Sequence, residues 1–119
     1  MGYYALSHNT TGAPNEAFGS QALYSNTTGS YNVGIGYQAL YSNITGTDNV
    51  AVGYRAGNAI LSGVDNTIVG SNAGIVSTGS QNTIMGKGSM YRATTAIQCT
   101  SIGKDALVNL TTEIGRAHV

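Results

Sequence analysis

The chain has 119 residues and a formal net charge of zero, and charged residues make up 8% of it, where an ordinary soluble domain carries about 25%. Such sparse charge excludes nucleic-acid binding through clustered Lys and Arg, and no apolar run approaches the ~18 residues of a membrane-spanning helix. Hydrophobic residues, 41% of the total, recur at fixed places, which a disordered chain does not do.

The recurrence is a repeat. In chain order, one Gly marks each unit at Gly2, Gly19, Gly36, Gly53, Gly70, Gly86 and Gly103, with spacings of 17, 17, 17, 17, 16 and 17. Small-apolar pairs follow most markers, as at Ala5-Leu6, Ala22-Leu23, Ala39-Leu40 and Ala106-Leu107. Next comes a turn Gly (Gly12, Gly29, Gly46, Gly63, Gly79), and three residues after it an Asn (Asn15, Asn32, Asn49, Asn66, Asn82). The idealised unit is G-x-x-A-L-x-x-N-x-T-G-x-x-N-x-A-[IV]. Two units replace the Leu, giving Ala56-Gly57 and Ala73-Gly74, and a later one has Ala96 for the turn Gly and Cys99 for the Asn.

After each Asn stands a short β-branched run closed by Gly: "NVGIG", "NVAVG", "NTIVG", "NTIMG". Each reads as a strand of about five residues. "T-G-x-x-N" reads as a turn in which Gly takes positive φ and Asn bonds the nearby backbone. The "Y-Q-A-L-Y-S" segment fits a second short strand or a helical turn equally well. A unit this short with two Gly turns cannot hold a helix pair. The expected fold is therefore all-β, a parallel β-solenoid of about six to seven coils. Strands stacked at about 4.8 Å make a rod on the order of 30 Å long. The Asn residues then form a ladder along it.

Alternate strand residues face opposite ways. Val33 and Ile35, Val50 and Val52, and Thr67 and Val69 share one face; Gly34, Ala51, Ile68 and Ile84 share the other. The expectation is that this second face points outward and, being small or apolar, is covered by other copies of the chain.

The tail "EIGRAHV" breaks the repeat at Glu113, where a Gly is due. It is also what one frame of a common short-read sequencing adapter encodes. Residues 1–112 are therefore assigned to the solenoid and residues 113–119 are set aside. Met1 holds the place that Met85 holds before Gly86, so the chain is expected to be a piece of a longer repeat protein.

Catalytic chemistry finds no foothold. His8 reads as a variable turn residue, and Cys99 has no disulfide partner in the chain. Asp48, Asp65 and Asp105 are scattered, without metal-ligand spacing. Ser residues lack a positioned base. "GIGYQA" and "GKGS" are by-products of the repeat Gly and open no long helix. Asn9, Asn26, Asn43 and Asn109 begin N-x-[ST] sequons, read as turn composition rather than glycan sites. No catalytic, cofactor-binding or metal-binding residue is assigned, and the chain is not expected to be an enzyme. Tyr37 and Tyr54 share one repeat position, and Tyr24, Tyr41 and Tyr91 another. If exposed, they would form aromatic stripes suited to glycan or protein surfaces.

"NTTGSYNVGIGYQAL" and "NITGTDNVAVGYRAG" resemble the head repeats of trimeric autotransporter adhesins, and equally the repeats of phage and bacterial tail-fibre proteins that often precede a self-cleaving chaperone domain. The resemblance covers Gly2 to about Thr112. It implies a trimer of left-handed parallel β-rolls at a cell or virion surface: an extracellular, structural and adhesive fibre segment whose partners are its own copies and a host surface glycan or protein. The alternative is the non-catalytic shaft of an enzyme-bearing tail spike. An ice- or mineral-binding face would need a flat Thr ladder; Thr67, Thr83 and Thr100 begin one, and Val33 and Val50 break it.

Overall fold

A computed structural model describes residues 2–75, 79–93, 95–110 and 117–118. The β-branched runs after the Asn residues form strands: β1 (Asn15–Phe18), β2 (Asn32–Ile35), β3 (Val50–Val52), β4 (Thr67–Val69), β5 (Thr83–Met85) and β7 (Thr100–Ile102). Two-residue strands β6 (Arg92–Ala93), β8 (Asn109–Leu110) and β9 (Ala117–His118) complete the set. One parallel sheet runs β1-β2-β3-β4-β5-β7-β9, and β6 pairs β8 separately. Register follows the repeat, with Val33 beside Val50, Val50 beside Thr67, Thr67 beside Thr83 and Thr83 beside Thr100. The molecule is an all-β parallel solenoid that makes five turns from β1 to β7, in a body of 35 × 21 × 17 Å. Of the set-aside segment 113–119, Ala117 and His118 pair with Thr100 and Ser101 at the repeat spacing, and the remainder lies outside the described residues.

The G-x-x-A-L segment is neither strand nor helix. It is a run of tight turns: the Ala22 N–H donates to the Gly19 carbonyl at 3.2 Å and the Asn26 N–H to the Leu23 carbonyl at 3.2 Å. Left-handed backbone alternates through it, at Gln21 (φ 59°) and Leu23 (φ 51°), and again at Gln38 and Leu40. The turns still carry bonds between coils, since the Leu23 N–H donates to the Ala39 carbonyl at 2.9 Å and the Leu40 N–H to the Ala56 carbonyl at 3.0 Å. Thus almost every part of a coil is tied to its neighbours by backbone bonds, as burial of polar groups requires.

The face expected to point outward is the core. Ala51, Ile68 and Ile84 are wholly buried within the single chain, among Ala22, Leu23, Ala39 and Leu40. Ile35, Val50, Met85 and Ile102 are the exposed ones. Val33, Ile35, Val50 and Val52 mask the polarity of the outer face, which Glu16, Thr67, Thr83 and Thr100 mark at the same position in other coils; the Ala-Leu turn packs across the coil against the opposite face. Within the core, sizes are complementary. Small Gly34 lies against Leu23, whereas Ile68 and Ile84 reach over Gly57 and Gly74. The two units that lose their Leu are the ones whose strands bring an Ile.

The turn glycines have a different role from the expected one. Gly12, Gly29, Gly46, Gly63 and Gly79 do not have positive φ; the left-handed residues of that turn are Tyr31, Asp48, Asp65, Gln81 and Gln98. Gly is needed because the coils touch there. A Cβ on Gly46 would run into the carbonyl oxygen of Gly63 and into Asn43 Oδ1.

The Asn ladder runs the length of the sheet. Asn49 Nδ2 donates to Asn32 Oδ1 at 3.1 Å and to the Gly63 carbonyl at 2.8 Å; Asn66 Nδ2 donates to Asn49 Oδ1 at 2.9 Å and to the Gly79 carbonyl at 3.0 Å. Cys99 takes the next rung, and its backbone N–H still donates to Asn82 Oδ1 at 3.0 Å. A second ladder, Asn9–Asn26–Asn43, has links of 2.8 Å and 2.8 Å. It stops where Ile60 occupies the next rung, leaving the buried Asn43 Oδ1 without a hydrogen-bond partner among the described residues.

Candidate binding surface

With the core assigned, the outward side chains of each coil follow by alternation. On the second strand's coil they are Tyr31, Val33, Ile35 and Tyr37, and on the third Asp48, Val50, Val52 and Tyr54. Their equivalents stack in register up the rod. The row Phe18, Ile35, Val52, Val69, Met85, Ile102 is an apolar line along the sheet. Phe18 is 66% exposed and Ile35 43%.

The tyrosines divide between two sides of the rod. Tyr37 and Tyr54 flank the sheet, stacked with ring centroids 5.4 Å apart and planes 14° apart. Both are exposed. Tyr24 and Tyr41 lie beyond the buried Ala-Leu pairs, half-buried, with centroids 5.1 Å apart and planes 2° apart. His8 extends this second stack, its ring 4.5 Å from that of Tyr24 and edge-on, with Nδ1 3.0 Å from the Tyr24 carbonyl oxygen. Tyr91 is exposed at the same repeat position, but Asn58 and Ile75 stand between it and the stack. Sequence reasoning missed Tyr31, which is 62% exposed. The Ile35 face was expected to point inward, so alternation from Ile35 gave no signal for an exposed Tyr31. Tyr3 and Tyr4 are also exposed, and a hydrogen bond with Tyr4 raises the Tyr3 phenol above its ordinary value.

A shallow hollow of about 230 Å³ opens between β1 and β2, lined by Pro14, Asn15, Glu16, Tyr31, Asn32 and Val33. Among the described residues no three His, Cys, Asp or Glu stand where they could share a metal ion, and no helix is long and apolar enough to cross a membrane. Asn26 and Asn43, both sequon residues, are fully buried with their amide nitrogens donating along the second ladder. In the folded chain they are rungs and present no acceptor for a glycan.

The chain matches no protein-family model, no curated protein and no solved structure. Its fold defines it as a repeat protein of the β-solenoid class. Chemically, this arrangement presents the same side-chain positions at one-coil intervals on a stiff support, with an aliphatic strip on one side and a tyrosine stack on another.

Proposed function

We propose that the chain is a structural and adhesive segment of an extracellular surface fibre, three copies side by side, presenting a repetitive surface for attachment to a host or cell. The observation that carries this reading is the in-register stacking of coils, which repeats every surface position along a 35 Å body. Repetition of that kind suits many weak, identical contacts, whose combined strength exceeds each one alone. The Tyr24–Tyr41 stack supplies the contact: the rings face each other, and their edges and hydroxyl tips, repeated one coil apart, meet sugar hydroxyls or apolar protein patches. In this reading the segment performs no catalysis and holds no cofactor. Partners are its own copies and a surface glycan or protein.

The test is retention of the immobilised chain on a glycan panel and on whole cells. Binding is expected, and Tyr24→Ala with Tyr41→Ala should weaken it at least tenfold without changing the circular dichroism spectrum. Binding that ignores both substitutions removes the role of the stack. Steady turnover of a glycan by the purified chain would overturn the adhesive reading in favour of an enzyme.

A further inference from the structure

Strands β1 to β5 and β7 carry one charged side chain between them, Glu16. The following coils hold Val33, Val50, Thr67, Thr83 and Thr100 at its register position. The same coil departs from the repeat a second time. In later coils the residue before the ladder Asn donates its N–H to the carbonyl that precedes its own equivalent, Asp48 to Ser30 and Asp65 to Thr47, whereas Tyr31 donates to Pro14, its equivalent itself. The hollow of about 230 Å³ opens where these two departures meet.

What the hollow can hold follows by elimination among its lining groups. The Asn15 and Asn32 amides are occupied. Asn15 Nδ2 donates to the Gly29 carbonyl at 2.7 Å, and its Oδ1 accepts from the Asn32 N–H at 2.9 Å. Asn32 Nδ2 donates to the Gly46 carbonyl at 2.8 Å, and its Oδ1 accepts from the Asn49 N–H at 3.1 Å. Pro14 has no N–H to offer, and the Val33 N–H donates to the Asn49 carbonyl at 2.8 Å. The Glu16 carboxylate and the Tyr31 phenol remain, both exposed, and the Glu16 side chain has no partner among the described residues.

We propose that this hollow takes a guanidinium or ammonium group on an aliphatic stem, as an Arg or Lys side chain of a partner protein presents it. A carboxylate accepts from such a head and neutralises it. The face of a tyrosine ring attracts a cation, and a planar guanidinium lies flat against it, which favours Arg over Lys. Pro14 and Val33 give the stem apolar walls. An anion would meet only the Glu16 charge and one hydroxyl. A neutral sugar needs donors and acceptors together, and the free side-chain groups here are one acceptor and one hydroxyl. The site goes beyond the adhesive reading and lies on the sheet side of the rod, not on the Tyr24–Tyr41 stack.

N-acetyl-arginine amide is titrated into the isotope-labelled chain and followed by NMR. Saturable shifts are expected at Glu16, Tyr31 and Val33, larger than those from the lysine analogue and weakened by added salt. N-acetyl-citrulline amide, the uncharged isostere, should bind at least fivefold more weakly. Glu16→Gln should weaken arginine amide by about three- to fivefold, the scale of an exposed ion pair. Tyr31→Gln should weaken it similarly, and Gln81 and Gln98 hold that left-handed position in later coils, so the variant should fold. Glu16→Val, which puts the next coil's residue in place, supplies a second fold-neutral variant. Absence of saturable shifts in the wild type, equal binding of citrulline amide, or binding indifferent to these variants overturns the proposal. Wild-type self-association that Glu16→Gln removes would place another copy's side chain in the hollow, and overturn a foreign partner. Retention on glycans through Tyr24 and Tyr41 is read separately, so either result can fail without the other.

Discussion

The Ile68 side chain fills the space that Gly57 leaves: its Cδ1 lies 3.0 Å from where a Cβ on Gly57 would stand. Two coils earlier along the strands the sizes are reversed, with Leu23 Cγ 3.4 Å from the corresponding point on Gly34. Restoring the repeat consensus by Gly57→Leu should therefore destabilise the chain by about 1–3 kcal/mol through overpacking. Ile68→Ala alone should cost about 2–5 kcal/mol through the cavity it opens. The double variant should lose markedly less than the sum, with a coupling of about 1 kcal/mol or more, read from urea unfolding midpoints. Strict additivity would show that the two residues do not share one space.

The turn and strand glycines separate by the same reasoning. Gly46→Ala drives a methyl group into the Gly63 carbonyl of the next coil, where backbone cannot yield without parting the coils. It should cost about 3 kcal/mol or more. Gly34→Ala meets Ala39 O at 3.3 Å and Leu23 Cγ at 3.4 Å, and Ala17 and Ala51 already hold that position in neighbouring coils. Its effect should stay within about 1 kcal/mol. Thermal unfolding of the two variants ranks them; equal losses would contradict the contact argument.

Rungs of the long ladder should matter more than the end of the short one. Asn49→Ala removes the acceptor of both the Asn66 N–H (3.1 Å) and Asn66 Nδ2 (2.9 Å), and strips the buried Gly63 carbonyl of a donor. Each buried group left unpaired costs about 1–3 kcal/mol, so a loss of at least ~3 kcal/mol is expected. Asn43→Ala takes a donor from Asn26 Oδ1 and from the Gly46 carbonyl but leaves no N–H unpaired, and the oxygen it deletes has no partner among the described residues, so it should cost less. Chemical denaturation of both variants measures the difference.

The buried sequons make an expression prediction. Glycan transfer in a secretory pathway precedes folding, and a sugar on Asn26 or Asn43 would occupy space that the Asn9–Asn26–Asn43 ladder fills. Thr28→Val with Thr45→Val destroys both sequons at exposed positions. The double variant should raise the yield of folded chain from a glycosylating host and leave the yield from a non-glycosylating one unchanged. A correctly folded chain carrying glycan at Asn43, found by mass spectrometry, would contradict the ladder.

The sequence by itself determined the period, the strands and the Asn ladder. Each is a local pattern, and stacking identical units carries a local pattern into three dimensions without further information. Val33, Val50 and Thr67 had to become neighbours once their coils stacked. Which side of those strands is inside became plain in the tertiary structure. Gly34 and Ala51 alternate with Val and Ile, which outweighed the opposite sign from Glu16, Thr67, Thr83 and Thr100; the Leu23 and Leu40 side chains, reaching across from the turn, fix the answer. Contact between coils also decided why the turn needs Gly. The absence of a Cβ at Gly46 reads as conformational freedom in the sequence, but in the fold it is clearance for the Gly63 carbonyl, a partner 17 residues away. The missing Leu at Gly57 likewise became intelligible only when Ile68 was seen to fill its place, because packing volume is shared between segments that no local window contains.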